Sequence, residues 1–275
     1  MTTERFMERM TWVELQERID AGVTAVLLPI GTTEQHGRHM PLDTDCVIAR
    51  ALSERAAEAA AAEGLDVLVA PTLNVTLSWY HMQFPGALRL QTDTFLQVFQ
   101  EVCESLHAHG LEEVIAVNGH GGNVAALTVA VNRYFEVTGR RVFLLQWWEL
   151  AGDVLADIEG PVIHAEEAET SLAIALGQRV MMEEASRDAY DRGQAVKDSG
   201  APWTSLGKYG LTHKGPGVVV PMDMLRDISE SGVVGDARLA KRETGERIVE
   251  AVVPRIVQTA RDMRETRSPR QPESR

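Results

Sequence analysis

Cysteine is scarce in this chain. Cys46 and Cys103 are the only two among 275 residues, and they form neither a CxxC pair nor the density of a disulfide scaffold. A disulfide-stapled fold is therefore excluded, and a reducing compartment is the expectation. Long apolar runs are also missing. Nothing approaches the roughly 20 apolar residues that a spanning helix needs, and the opening MTTERFMERMTW has no run resembling a signal peptide. The expected location is the cytoplasm, with no membrane partner. Positive charge is in deficit: 27 basic against 40 acidic residues leave a net charge of -13, which opposes binding to nucleic acid or to an anionic surface. A neutral or cationic small molecule is the easier partner. No internal repeat is visible. Hydrophobic residues at 44% and charged residues at 24% are ordinary for a soluble globular protein with a packed core. The length suits one large α/β domain, expected over 1–262, with a disordered, apolar-poor tail over 263–275.

Apolar runs and helical stretches alternate along the chain. Thr11 followed by Glu14 fits a capping box and predicts a helix ending near Gly22. The continuous run Ala25, Val26, Leu27, Leu28, Pro29, Ile30 reads as a strand buried on both faces. An alanine-rich helix is expected over about 46–63, a strand over 67–70, a helix over about 92–109 and a strand over 114–117. A helix over about 124–137, a strand over 142–145 and a helix over about 165–176 follow. This alternation predicts a three-layer α/β/α fold with a mainly parallel central sheet, in which ligands bind beyond the carboxyl ends of the strands. After about residue 179 the pattern weakens into glycine-rich sequence, SLGKYGLTHKGPGVVV included, expected to loop over the site. A last helix is expected over about 236–261.

Three polar clusters fall at the predicted strand ends. The first holds Glu34, His36, His39, Asp43 and Asp45, five possible donors within twelve residues directly after a buried strand. Carboxylate and imidazole together suit zinc, manganese or iron, and one carboxylate could bridge two ions. A single histidine in a loop is more often structural; the concentration of donors is what favours a metal. The second cluster, Asn118 to Asn123, reads NGHGGN. Its glycines suit a tight βα turn and close backbone approach at a helix N-terminus, but a turn alone leaves His120 unexplained. The third, HAEEAETS from His164 to Ser171, opens a helix. Acidic residues in a first turn commonly answer the helix dipole. His164, Glu167 and Glu169 can share one site only if the helix begins after His164.

GTTEQHGRHMPLDTD, VNGHGGN and HAEEAETS, in this order, resemble the signature segments of the creatininase (creatinine amidohydrolase) superfamily. The similarity extends to Ser78, His81, Phe84 to Gly86, and SGVVGD ending at Asp236. The resemblance implies a three-layer fold, a dinuclear centre of two divalent ions (zinc, manganese or iron), hydrolysis of a linear or cyclic amide by a bridging hydroxide, and a homohexamer. Residue by residue, Glu34, His36, Asp45 and His120 match metal ligands, with Asp45 the bridging carboxylate. Glu169 matches a further ligand candidate, with Glu167 the alternative from this segment. His164 matches a histidine assigned to proton transfer, and Glu167 is placed with it in the catalytic set. Ser78, His81, Gly121 and Trp148 are expected at the substrate. Two segments depart from the family. In the second, Gly121 and Gly122 stand where creatininase has Tyr and Glu, and in the third Glu166 stands where glycine is usual. The glycine version is similar to deformylase and peptidase branches, in which smaller residues would leave room for a larger substrate. Ser171 has no base at recognisable spacing, so a serine nucleophile is not expected. Trp79, Tyr80, Trp147, Trp203 and Tyr209 are further candidates to wall a pocket, and Lys208, His213 and Lys214 to meet an anionic group.

Overall fold

This structure, a computed structural model, describes residues 4–191 and 222–266. The chain begins with helix α1 (Trp12–Asp20), closed by the expected capping box: the Glu14 backbone N–H donates to the Thr11 hydroxyl, and the Thr11 N–H donates to the Glu14 carboxylate. Strands β1 (Ala25–Ile30), β2 (Val67–Val69), β3 (Glu113–Asn118) and β4 (Val142–Gln146) follow in turn. Between them run helices α2 (Thr44–Ala62), α3 (Thr92–Ala108) and α4 (Val124–Thr138). The four strands form one parallel sheet in the order β2-β1-β3-β4, with Leu27 level with Val69 on one side and Ile115 on the other.

The strands are apolar at every position because both faces are covered. Ala25, Leu27, Val67, Val69, Ile115 and Val117 point into one core, which α2 and the later helices close with Ile48, Leu52 and Ala56. Val26, Leu28, Ile30, Leu68, Val114 and Ala116 point into the other, closed by Phe95 and Phe99 of α3 and Leu127 and Tyr134 of α4. The expected three layers are present.

After β4 come the short helices α5 (Trp147–Leu150) and α6 (Gly152–Leu155), then α7 (Glu167–Ala175). Strand β5 (Arg187–Asp188), helix α8 (Leu225–Ile228) and strand β6 (Gly235–Asp236) precede the long α9 (Arg242–Glu265). Two boundaries differ from expectation. Asp236 does not start the last helix: it pairs antiparallel with Arg187 in a small ribbon, and its carboxylate accepts from the Arg238 backbone and guanidinium. Helix α9 also outlasts its expected end. Ile248, Val252, Ile256, Ala260 and Met263 form one buried stripe, so the chain stays helical through residues assigned to a tail. The glycine-rich segment with Trp203, Lys208, Tyr209, His213 and Lys214, and residues 267–275 of the expected tail, lie outside the described residues. No helix among the described residues is long and apolar enough to cross a membrane.

Candidate metal centre

The three clusters meet at the carboxyl ends of β1 and β3, where two glycines let the chain approach itself closely. Gly31 follows β1, and a Cβ there would lie 2.5 Å from the Cys46 nitrogen and 2.7 Å from the Asp45 carbonyl carbon. Gly119 follows β3, and a Cβ there would overlap the Asp45 carbonyl oxygen. The first turn of α2 is therefore wedged between the two strand ends, which drives Asp45 into the centre of the site. The third cluster is delivered by a strained turn. Ala165 has φ 51°, rare for a residue with a side chain. Its N–H donates to the Glu169 carboxylate, while the buried Glu166 carboxylate caps α7 by accepting from the Ala168 and Glu169 N–H groups. Helix α7 thus begins after His164, and His164 and Glu169 reach the same site.

Three histidines are each anchored by one ring nitrogen to a backbone carbonyl. His36 Nδ1 lies 3.2 Å from the Glu34 carbonyl oxygen, His120 Nε2 2.8 Å from that of Leu77, and His164 Nε2 2.9 Å from that of Gln35. A carbonyl only accepts, so each of these nitrogens carries the hydrogen and the other ring nitrogen presents a lone pair. Those lone pairs face carboxylates. His36 Nε2 is 2.9 Å from Asp45 Oδ1, and His120 Nδ1 is 3.0 Å from Asp45 Oδ2 and 3.3 Å from Glu34 Oε1. His164 Nδ1 is 3.9 Å from both Glu34 Oε1 and Glu169 Oε2. Glu34 Oε1 and Asp45 Oδ2 are buried and accept no hydrogen bond of ordinary geometry from the described residues.

Acceptors turned toward acceptors repel unless a proton or a cation stands between them. With protons alone, burial opposes charge on His36 and His120, yet the carboxylates overcome it: Asp45, Glu169 and Glu34 bring His36 up to about 9, and Glu34 and Asp45 hold His120 well above the usual imidazole range. Asp45, despite its burial, is held below the usual carboxylate range by His36 and His120. Glu169 is pushed up to about 7 by burial, with His36 opposing and Asp45 reinforcing. His164 is held well below 6.5, by burial first and then by the His36 charge. Cations would relieve this arrangement. Ligand atoms of Glu34, Asp45 and His120 lie within 4.8 Å of one another, as do those of His36, Asp45 and Glu169, and those of Glu34, His36 and His164. Asp45 belongs to the first two sets, with its Oδ1 beside His36 and its Oδ2 beside His120.

Among the remaining expected residues, His81 and Gly121 line the cleft over the site together with Tyr80, Ile163, Leu225 and Val234. Three are not where they were expected. Ser78 is fully buried and donates from Oγ to Glu34 Oε2 at 2.6 Å, so it holds a ligand candidate and is not among the described residues lining the cleft. Trp148 packs in the core edge-on to Trp147. Glu167 is not among the described residues lining the cleft; two positions further along the same turn, Glu169 is. Ser171 is buried, its Oγ accepting from the Lys241 N–H. The expected extra room at Gly122 is also taken: a Cβ there would overlap the Tyr80 hydroxyl and His120 Nε2, so Tyr80 fills that space. Tyr80 was foreseen only as one of several aromatics, because the contact joins loops far apart in the chain. His39 is buried behind the site, its Nε2 2.9 Å from the Thr170 hydroxyl.

A parallel sheet with helices on both faces, holding a buried cluster of carboxylate and imidazole donors at its carboxyl edge, is an α/β fold with a candidate metal centre where such sheets bind ligands. Residues 8–260 match the creatininase family, described as creatinine amidohydrolase. Creatinine amidohydrolase of Pseudomonas putida is 28% identical over 276 residues, covering 95% of this chain and 98% of that one. A mycofactocin precursor peptide peptidase of Mycolicibacterium smegmatis is 32% identical over 232 residues, covering 84% and 82%. A solved structure described as creatininase Mn superposes with a TM-score of 0.74 at 26% identity, covering 94% of this chain and 98% of that one. The chain belongs to the creatininase family and is a hydrolase of C–N bonds.

Proposed function

We propose that this hydrolase cleaves a linear or cyclic amide at a centre of two divalent cations, zinc, manganese or iron. The carrying observation is that Asp45 belongs to two donor sets, with one oxygen beside His36 and the other beside His120. Glu34, Asp45 and His120 would hold one ion; His36, Asp45 and Glu169 would hold the other. When bound, the ions would supply a Lewis acid for the scissile carbonyl and lower the pKa of water toward neutrality.

The chain's own residues do the rest. The anchored second nitrogens of His36 and His120 keep their lone pairs aimed at the centre, and Ser78 fixes Glu34. The apolar wall of Ile163, Leu225 and Val234 excludes water from the cleft. His164, its Nε2–H tied to the Gln35 carbonyl, presents Nδ1 to take the proton of the attacking water and deliver it to the departing nitrogen. The described lining residues include no lysine or arginine, which suits a neutral or cationic substrate. The 32% identity to a peptidase supports a short peptide as the second reading.

A screen of cyclic ureides, lactams, formamides and short peptides, read by mass spectrometry, tests the proposal. Hydrolysis of one class in metal-replete protein and its loss on chelation are expected. Turnover unaffected by chelation would refute it. Cytoplasmic location and a homohexamer are proposed with it. The exposed apolar side chains of Trp79 and Met82, which flank the cleft residues Tyr80 and His81 in the chain, support assembly of copies. Light scattering at micromolar concentration is expected to give a hexamer mass, and a monomer would contradict it.

A further inference from the structure

Gln35 lies between two ligand candidates in sequence, yet its side chain takes no part in the chemistry above. It is 5% exposed, and both ends of its amide are tied to backbone. Oε1 accepts from the Gly37 N–H at 2.8 Å, and Nε2 donates to the Gly232 carbonyl at 3.1 Å. A flipped amide would set N–H against N–H and oxygen against oxygen, so one orientation alone is satisfied. The cradle is built for it: Gly232 has φ +86°, and a Cβ there would overlap the Gln35 amide.

An amide nitrogen has two hydrogens. One serves Gly232, and the other points to His81 Nδ1 at 3.3 Å. His164 Nε2 is nearer, at 3.0 Å, but it already gives its hydrogen to the Gln35 carbonyl oxygen and has no lone pair to offer. His81 Nδ1 is thereby the acceptor. Its hydrogen then sits on Nε2, which is 3.5 Å from Glu34 Oε1, in a residue that lines the cleft.

We propose that Gln35 is a positioning residue that sets His81 and His164 in opposite roles. Its side-chain amide makes His81 a fixed N–H donor at Nε2, beside Glu34, and its backbone carbonyl makes His164 a fixed lone pair at Nδ1. The two rings meet edge to face with centroids 4.7 Å apart. On the amidohydrolase reading, on which this rests, His81 Nε2–H then donates to the carbonyl oxygen as negative charge develops there, while His164 carries the mobile proton. The division of labour spares a second charged ring beside the ions.

Nitrogen NMR of imidazole-labelled, zinc-loaded full-length protein tests the assignment without any substrate. The His81 ring, identified by its disappearance in His81→Gln, is expected to show a protonated Nε2 and an unprotonated Nδ1. In Gln35→Met, zinc content stays that of the native protein while the His81 signals move toward protonated Nδ1 or an average of the two tautomers. A native His81 protonated at Nδ1 would overturn the proposal, whether or not the variant folds. So would His81 signals unchanged in Gln35→Met. Loss of activity toward every amide would count against the hydrolase reading and leave this spectrum as it is.

Discussion

At the scale of single residues, the site is a matter of which nitrogen carries a hydrogen. His164 lines the cleft with Nδ1 directed at Glu34 and Glu169 from 3.9 Å, further than His36 and His120 stand from Asp45. His164→Ala is expected to retain both metals while kcat falls by roughly a hundredfold to ten-thousandfold, the usual worth of general acid–base catalysis. Amides with better leaving groups should suffer less, because a nitrogen that departs easily needs less protonation. Equal loss across leaving groups, or loss of metal, would place His164 among the ligands. Donor-type residues falling together after strands brought Glu34, His36 and Asp45 forward together with His39 and Asp43, and it was the resemblance to the creatininase superfamily that set Glu34, His36, Asp45 and His120 apart as ligand candidates. Ser78, Trp148 and Gln35 were not legible in the sequence. Their roles depend on contacts such as Ser78 with Glu34 and Gln35 with Gly232, which no local pattern encodes.

At the scale of elements, the first turn of α2 and the start of α7 carry the site, and both are held by close fits. Gly119→Ala sets a methyl group against the Asp45 carbonyl. It is expected to cost roughly 1–3 kcal/mol, the range of overpacking, and to weaken metal binding, although the glycine is no ligand. Denaturant titration and metal analysis of the variant would check this, and unchanged metal affinity would show that α2 can shift without moving Asp45. The packing of α3 on α4 gives a separate prediction. His107 is buried, its Nδ1 2.7 Å from the Tyr134 hydroxyl, and burial lowers its pKa below 6.5 despite the Cys103 carbonyl. Below about pH 6.5 the unfolded chain binds this proton and the folded chain does not, so stability falls as pH drops through that range. His107→Phe should lose less stability between pH 7.5 and pH 5.5 than the native protein. An equal loss would remove His107 from the account. Element order was readable from apolar runs and caps. The ends of α9 were not, since Met263 continues the helix's buried stripe into the core shared with the sheet and α2, a contact no local pattern encodes.

For the whole molecule, a parallel sheet closed on both faces leaves its carboxyl edge as the place where loops can gather polar residues without exposing a core. Charge follows the same logic. A chain of net charge -13 that also buries Glu34, Asp45 and Glu169 together calls for cations at that edge. On the proposed function Asp45 would join two such cations, and metal analysis of Asp45→Ala tests this most directly. The native protein should hold two equivalents of divalent metal per chain, and the variant should hold none while its circular dichroism keeps the native helix content. Two equivalents retained by a folded Asp45→Ala protein would contradict the account.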